Sequence, residues 1–490
     1  MTDNLQVMKF GGTSVGDADC IHRAAEIVKA AARERPVVAV VSAMSGVTNR
    51  LIKAAETSAQ GDAHASSAVT TELRAQHATA SGALVQEPAR KAQLETELEA
   101  ILQEIANLCH GTALLRELTP RTLDAISSAG ERLSARLLAA ALSEMGTEAV
   151  AVDATELIRT SNEHGAAEPL IEATRELANR RLAAIFASNR VPIVTGFIGA
   201  TEDGILTTLG RGGSDYSATI LGAALDASEI IIWTDVDGVL SADPRLVPEA
   251  RLLREISYAE AAELAYFGAK VLHPKTLRPV VTAGIPVWIR NSFAPEKIGT
   301  KITRTGRPSE SGVKAITSIS NVTMITLGGA GIVGVVGVAA KTFAAAAAVR
   351  ANVLLISQAS SGNDICFIVE SADARPVVEA LRKTFAQDLA HHQVEHITVD
   401  PDIAIVAVVG EKMRGTPGIA GRVFSSLGQQ GVNVIAVAQG SSEYNVSFVV
   451  AAAAMKNAVT AIHHEFNLQR ATANADAAPA PSLWTGSGTP

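Results

Sequence analysis

The chain has 490 residues, 47% of them hydrophobic and 19% charged, and a formal net charge of −8. That length allows two to four domains with sizeable cores, and an acidic balance without a long basic run excludes nucleic acid as the main partner. Cys20, Cys109 and Cys366 form no CxxC pair, the N-terminus is polar, and the apolar run Ile332 to Val349 is broken by Lys341 and glycines, so we expect a reduced, cytoplasmic protein with no signal peptide and no membrane span.

The first element is "VMKFGGTSVGDADC", starting at Val7. The residues around Lys9 predict a short buried strand that Gly11 and Gly12 break. Thr13, Ser14 and Asp17 then offer helix-start chemistry ahead of the apolar spacing Ile21, Ala24, Ala25 and Val28. Strand, glycine turn and helix N-terminus together make an anion site, because free N–H groups face outward and glycine admits a phosphate closely. The P-loop is a different arrangement, with its lysine after the glycines, and an ordinary βα turn fits the same residues.

Further along, Pro36 to Val41, Ala149 to Val152, Val191 to Thr195 and Glu229 to Thr234 predict nearly apolar parallel strands with helices between them. This is an α/β pattern, a mainly parallel sheet covered on both faces. Between about residues 61 and 115 the pattern changes. Leu94, Leu98, Ile101, Leu102, Ile105 and Leu108 mark one face of an amphipathic helix, read as a structural insertion.

After about Arg304 an internal repeat begins. "NVLLISQASSGNDICFIV" from Asn352 lies over "NVIAVAQGSSEYNVSFVV" from Asn433 without a gap, at an offset of 81 residues. Each unit reads strand, glycine turn, helix, strand, strand. The predicted organisation is 1–304, an α/β domain; 305–395 and 396–470, two α+β modules; and 471–490, an Ala/Pro/Ser/Gly/Thr-rich disordered tail. Gly329-x-Gly331-x-x-Gly334 imitates a dinucleotide fingerprint, yet no acid follows on the next strand, so we reject it. The pairs His391-His392 and His463-His464 have no ligand partner at metal spacing and are expected to be solvated.

Five more segments carry polar groups. "SAMSGVTN" brings Ser42 and Thr48, "ISSAGERL" brings Glu131, "GRGGSDYSA" brings Arg211, Ser214 and Asp215, and "TDVDGVLSADPR" with "FGAKVLHP" brings Asp235, Asp237, Arg245 and Lys270. Each alone fits a turn, a helix cap or a surface charge. Together they place Lys9, Arg211, Lys270 and several strand-end loops at the carboxyl ends of strands, where open α/β sheets bind ligands.

"KFGGTSV", "SAMSGVTN", "GRGGSDYSA", "TDVDGV", "DPR" and "FGAKVLHP" resemble the signature segments of the aspartate kinases in the amino acid kinase superfamily. The C-terminal repeats resemble their tandem ACT regulatory domains. The resemblance implies an amino acid kinase fold followed by two ACT-like modules. It also implies transfer of the γ-phosphoryl of ATP to the side-chain carboxylate of L-aspartate. Lys9, Gly11 and Gly12 would meet the β- and γ-phosphates, with Mg²⁺ held through the phosphates rather than by side chains. Asp215 would order the cationic groups there. Arg211 would pair with a substrate carboxylate, Glu131 with the α-ammonium, and Ser42, Thr48 and Ser214 would complete the aspartate site. Thr234, Asp235 and Asp237 would face ribose and adenine, with Arg245 and Lys270 reaching the phosphates; Leu240 stands where the family often has an aromatic residue. An amino-acid effector would bind at Gly334, Gln358, Gly415, Asn433 and Gln439, threonine being preferred to lysine, and the repeats would join a homodimer or higher homo-oligomer. Alternatives are an effector-sensing protein with an inert kinase site and a kinase for another acidic metabolite. Many threonine-sensitive members are fused to a homoserine dehydrogenase, and no such domain is expected after these repeats.

Overall fold

The computed structural model of the chain describes residues 4–269, 272–332, 335–358, 363–411, 413–439 and 444–470. The expected tail, Lys270 and Gly334 lie outside them. The first part contains strands β1 Gln6–Phe10, β2 Val37–Val41, β3 Ala149–Val152, β4 Val191–Thr195, β5 Ile198–Ala200, β6 Leu206–Thr208, β7 Glu229–Thr234, β8 Glu255–Ser257, β9 Val287–Asn291 and β10 Thr300–Thr303. Eight of these form one sheet in the order β3-β4-β2-β1-β7-β9-β10-β8, while β5 and β6 pair as a separate hairpin. The strands run parallel from β3 to β9, β10 reverses against β9, and β8 runs with β10.

Every residue of β1, β2 and β4 is buried, as a parallel sheet between two helical layers requires. The pleat splits β2 between two cores. Val37, Ala39 and Val41 face the helices Ala18–Ala32 and Ala129–Glu144, while Val38 and Val40 face Ile171–Ala187 and Gly213–Ala224. The insertion is a pair of helices, Ala63–Leu84 and Pro88–Leu115. Leu94, Leu98, Ile101, Leu102 and Ile105 are buried as their spacing predicts, and Cys109 continues the buried face while Leu108 is only partly covered.

The C-terminal part contains β11 Val313–Gly328, β12 Leu355–Gln358, β13 Asp364–Glu370, β14 His396–Gly410, β15 Ala436–Ala438 and β16 Asn445–Ala451. They form one antiparallel sheet, ordered β12-β13-β11-β14-β16-β15. Two long strands exchange partners along their length. Residues 322–328 of β11 pair with β13 and with residues 396–403 of β14, whereas residues 313–319 of β11 pair with the second half of β14, which carries β16. The strand entering the first repeat thus completes the sheet of the second. Each repeat also carries a second helix beyond the predicted elements, Ser371–Thr384 and Met455–Glu465, the former burying Ala374, Val377 and Leu381.

One expectation is corrected. His463 is buried, with Nε2 at 2.9 Å from Ser241 Oγ, because its helix packs on the α/β domain; His391, His392 and His464 are exposed. Among the described residues no helix is long and apolar enough to cross a membrane.

Candidate active site

Lys9 occupies the central strand β1, flanked by β2 and β7. Its aliphatic stem is held in the sheet and its Nζ emerges at the carboxyl end, 2.6 Å from Asp215 Oδ1. Asp215 lies in the first turn of the helix Gly213–Ala224, where the helix dipole favours an anion. The turn into that helix needs glycine. Gly212 has φ +70°, and a Cβ there would stand 2.8 Å from His273 Cβ.

The opening glycines act by closeness. A Cβ on Gly11 would lie 3.3 Å from Lys9 Nζ, and one on Gly12 would lie 3.1 Å from the Ala43 carbonyl. The expectation that Gly11 offers its N–H to a phosphate is corrected, because that amide donates to the Trp233 carbonyl at 3.1 Å and extends the sheet. Asp17 caps the following helix as predicted, its carboxylate accepting from the Cys20 N–H at 2.8 Å.

Lys9 and Asp215 open onto a cavity of about 400 Å³ that also has Ser42, Thr48, Glu131, Arg211, Ser214 and Gly12 in its walls. Phe197 and Met44, absent from the sequence-based set, are also in its wall. Phe197 follows β4 with φ +69°, an uncommon conformation for a non-glycine residue. Its ring fills the place that a Cβ on Gly213 would need, 2.6 Å away. The only hint in the sequence is its position just after a predicted strand. Met44 is reached by Gln76 Nε2 from the helical insertion, at 4.0 Å from Sδ.

The cavity's charges are arranged by burial. Glu131 is 4% exposed, and loss of water pushes its carboxyl up to about 8, against the opposing pull of the Ala43 backbone and of Lys9. Its Oε2 has no hydrogen-bond partner, and a buried acceptor left open in this way suits a ligand donor. Arg211 is exposed at the mouth. Nearby His273 is held below its usual range, first by burial and then by Arg211 and Lys275. One buried acid facing two cations suits a small molecule carrying an ammonium and more than one anionic group.

The residues expected on the nucleotide side lie on the neighbouring strand end. Thr234 closes β7 and donates from Oγ1 to Asp235 Oδ1 at 3.1 Å. Both Asp237 oxygens are engaged, by Asn291 Nδ2 at 2.7 Å and Lys297 Nζ at 2.6 Å, which hold its carboxyl below the ordinary range. Arg245 is mostly exposed and folds back on Asp243 at 2.5 Å. None of these four is in the wall of the Lys9 cavity. Of the expected effector residues, Gln358 ends β12 and Gln439 follows β15, both exposed. Asn433 is exposed ahead of β15, and Gly415 closes the turn Met413–Gly415 before the helix Ile419–Gln429.

Comparison with known proteins gives the same frame. The model of the amino acid kinase family matches residues 4–291, and that of the ACT domain matches residues 325–385 and 406–466. The chain is 38% identical, over 96% of its length, to the chloroplastic bifunctional aspartokinase/homoserine dehydrogenase 1 of Arabidopsis thaliana, of which it covers 52%. It is 35% identical to the chloroplastic aspartokinase 1 of the same plant, with 94% of this chain and 80% of that one covered. The crystal structure of E. coli aspartokinase III with aspartate and ADP superposes with a TM-score of 0.79 at 32% identity, covering 94% of this chain and 99% of that one. The same enzyme with lysine and aspartate gives a TM-score of 0.77, covering 95% and 100%. The chain spans about half the length of the first curated relatives it matches. With the parallel sheet, the lysine at the end of its central strand and the paired ACT modules in place, the chain belongs to the aspartokinases of the amino acid kinase family.

Proposed function

We propose that the chain transfers the γ-phosphoryl group of ATP to the side-chain carboxylate of L-aspartate, giving 4-phospho-L-aspartate and ADP, the first step toward lysine, threonine and methionine. The observation that carries the proposal is the cavity joining Lys9 and Asp215 to the unpartnered Glu131 oxygen and to Arg211. In this reading Glu131 receives the α-ammonium, Arg211 clamps a carboxylate with its planar fork, and Ser42, Thr48 and Ser214 hydrogen-bond the substrate. A carboxylate oxygen attacks the γ-phosphorus as the bond to the β-phosphate oxygen breaks. No general base is needed, since an aspartate side chain near pKa 3.9 is ionised at neutral pH. Lys9 stabilises the negative charge on the transferring oxygens, and Asp215 fixes the Lys9 ammonium.

Gly12, Thr234, Asp235, Asp237, Arg245 and Lys270 are assigned to the nucleotide. Mg²⁺ would lower the charge of the nucleotide phosphates through which it is held, with Asp215 and Glu131 the acidic side chains in the cavity wall. The repeats are assigned to feedback control, with threonine preferred to lysine. Residues Asn352 to Ser361 contain no carboxylate for a second ammonium, and the nearby Asp364 lies 3.6 Å from His396. The exposed Ile356 and Val437 on the edge strands β12 and β15 support a homodimer through this sheet.

The test is acyl-phosphate formation trapped by hydroxylamine, with MgATP and either L-aspartate or L-glutamate, alone and with threonine or lysine. Product with aspartate that falls with threonine is expected. Greater product with glutamate overturns the substrate, inhibition by lysine alone overturns the effector, and no product from folded protein overturns the activity.

A further inference from the structure

Asp124 lies outside the cavity wall, on the helix Pro120–Ser127, and is 2% exposed. A buried carboxylate must be surrounded by donors, and this one draws them from two separate segments. It accepts from Thr208 Oγ1 at 2.5 Å and from the Thr208 N–H at 3.2 Å. The Gly165 N–H donates to both its oxygens at 3.1 and 3.2 Å, and His164 Nδ1 lies 2.7 Å from Oδ2.

These partners lead to two different residues of the cavity wall, Glu131 and Arg211. The Asp124 carbonyl accepts from the Ser128 N–H at 3.0 Å, where the chain turns into the helix that carries Glu131. Thr208 ends β6 three residues before Arg211. Gly165 presses on the same stretch from outside: Gly210 has φ +77°, and a Cβ there would stand 2.9 Å from the Gly165 carbonyl oxygen. The Gly213 N–H then donates to the Gly210 carbonyl at 2.9 Å, closing the turn on which Arg211 sits.

We propose that Asp124 is a positioning residue that braces the Glu131 end of the site against the Arg211 loop, so that the ammonium and carboxylate subsites keep a fixed separation. A span set in this way selects the length of the amino-acid substrate. The proposal rests on the assignment of Glu131 and Arg211 to aspartate binding.

The experiment compares Thr208→Val, Thr208→Ser and Asp124→Asn with an Arg211→Ala control, measuring kcat and KM for L-aspartate and for ATP, with thermal melts. Losing one hydrogen bond to the carboxylate in Thr208→Val should raise the aspartate KM about tenfold with the ATP KM within about twofold. Thr208→Ser, which keeps the hydroxyl, should return the aspartate KM to about the wild-type value. Asp124→Asn, whose amide would face donors, should exceed Thr208→Val in the same parameter. If it fails to fold, the threonine pair decides. Thr208→Val with an unchanged aspartate KM, or with equal rises for both substrates, overturns the brace while an Arg211→Ala effect leaves the site assignment standing. An Arg211→Ala protein with an unchanged aspartate KM overturns both.

Discussion

Burial takes the Glu131 carboxyl up to about 8, so in the ligand-free protein at neutral pH most copies carry the proton. An ammonium is bound best by the anion, so aspartate binding must expel that proton. The aspartate KM should therefore fall by up to about tenfold per pH unit between pH 6 and 7 and level off near 8. Glu131→Gln should raise KM and remove the slope, and an unchanged slope in that variant contradicts the assignment. The same shift has a stability sign. The folded pKa lies above the ordinary glutamate value, so the contribution from Glu131 is complete below about pH 4.5 and is lost as pH rises toward 8. The melting temperature without ligand should decline across that window less steeply in Glu131→Gln.

Lys9 gives a second prediction at this scale. Lys9→Met should lower kcat by about 10²–10³ yet remain folded, because Asp215 keeps 15% of its side chain exposed to water. Full turnover by a folded Lys9→Met protein contradicts the phosphoryl role. Lys9, Glu131, Arg211 and Asp215, which share one cavity, were legible in the sequence because each sits in a short glycine-bearing polar motif. Phe197, Met44 and Asp124 were not, since what marks them is a contact between segments distant in the chain. The same holds for the titration of Glu131, which depends on water being excluded from a place the sequence does not delimit.

Among the elements, the helix Tyr258–Tyr266 shows how the two parts are joined. Ser257 and Glu260 form its capping box, and Glu260, fully buried, also receives Lys314 Nζ from β11 at 2.6 Å. Asn445 Nδ2 of β16 donates to Glu263 farther along the helix, and Thr317 Oγ1 donates to the Phe267 carbonyl at 2.8 Å. Lys314→Met leaves a buried carboxylate without its counter-ion and should cost about 3–5 kcal/mol in urea unfolding. Adding Glu260→Gln, which keeps the cap, should recover most of that loss. A double variant as unstable as Lys314→Met alone contradicts the buried pair. The strands of the main sheet could be read because runs such as "PVVAVV" and "EIIIWT" are apolar on both faces. The partner exchange of β11 and β14 could not, because a repeat in sequence suggests two consecutive units and the ladder joins residues far apart in the chain, from Gly328 with His396 to Val313 with Gly410.

For the whole molecule, no clean seam separates the α/β part from the ACT repeats. Ala242 and Val247, on the loop after β7, share a core with Val459 and Ile462 of the second repeat, and Phe267 is buried with Leu355 and Ile405. The Ile316 N–H of β11 donates to the Ser241 carbonyl at 2.8 Å, and His463 meets the Ser241 hydroxyl. Calorimetry should therefore show one cooperative transition for both parts, and two resolved peaks contradict a shared core. The change in sequence texture near Arg304 shows where the chain passes from one pattern to the other, but it carries no trace of these contacts, which involve residues on both sides of it.

A crystal structure of the chain with L-aspartate and ADP bears most directly on the assignment of the cavity. The aspartate ammonium should lie about 3 Å from Glu131, one carboxylate should meet the Arg211 guanidinium, and the other should point toward Lys9. Aspartate bound outside the cavity, or inside it with neither carboxylate at Arg211 or Lys9, contradicts that assignment.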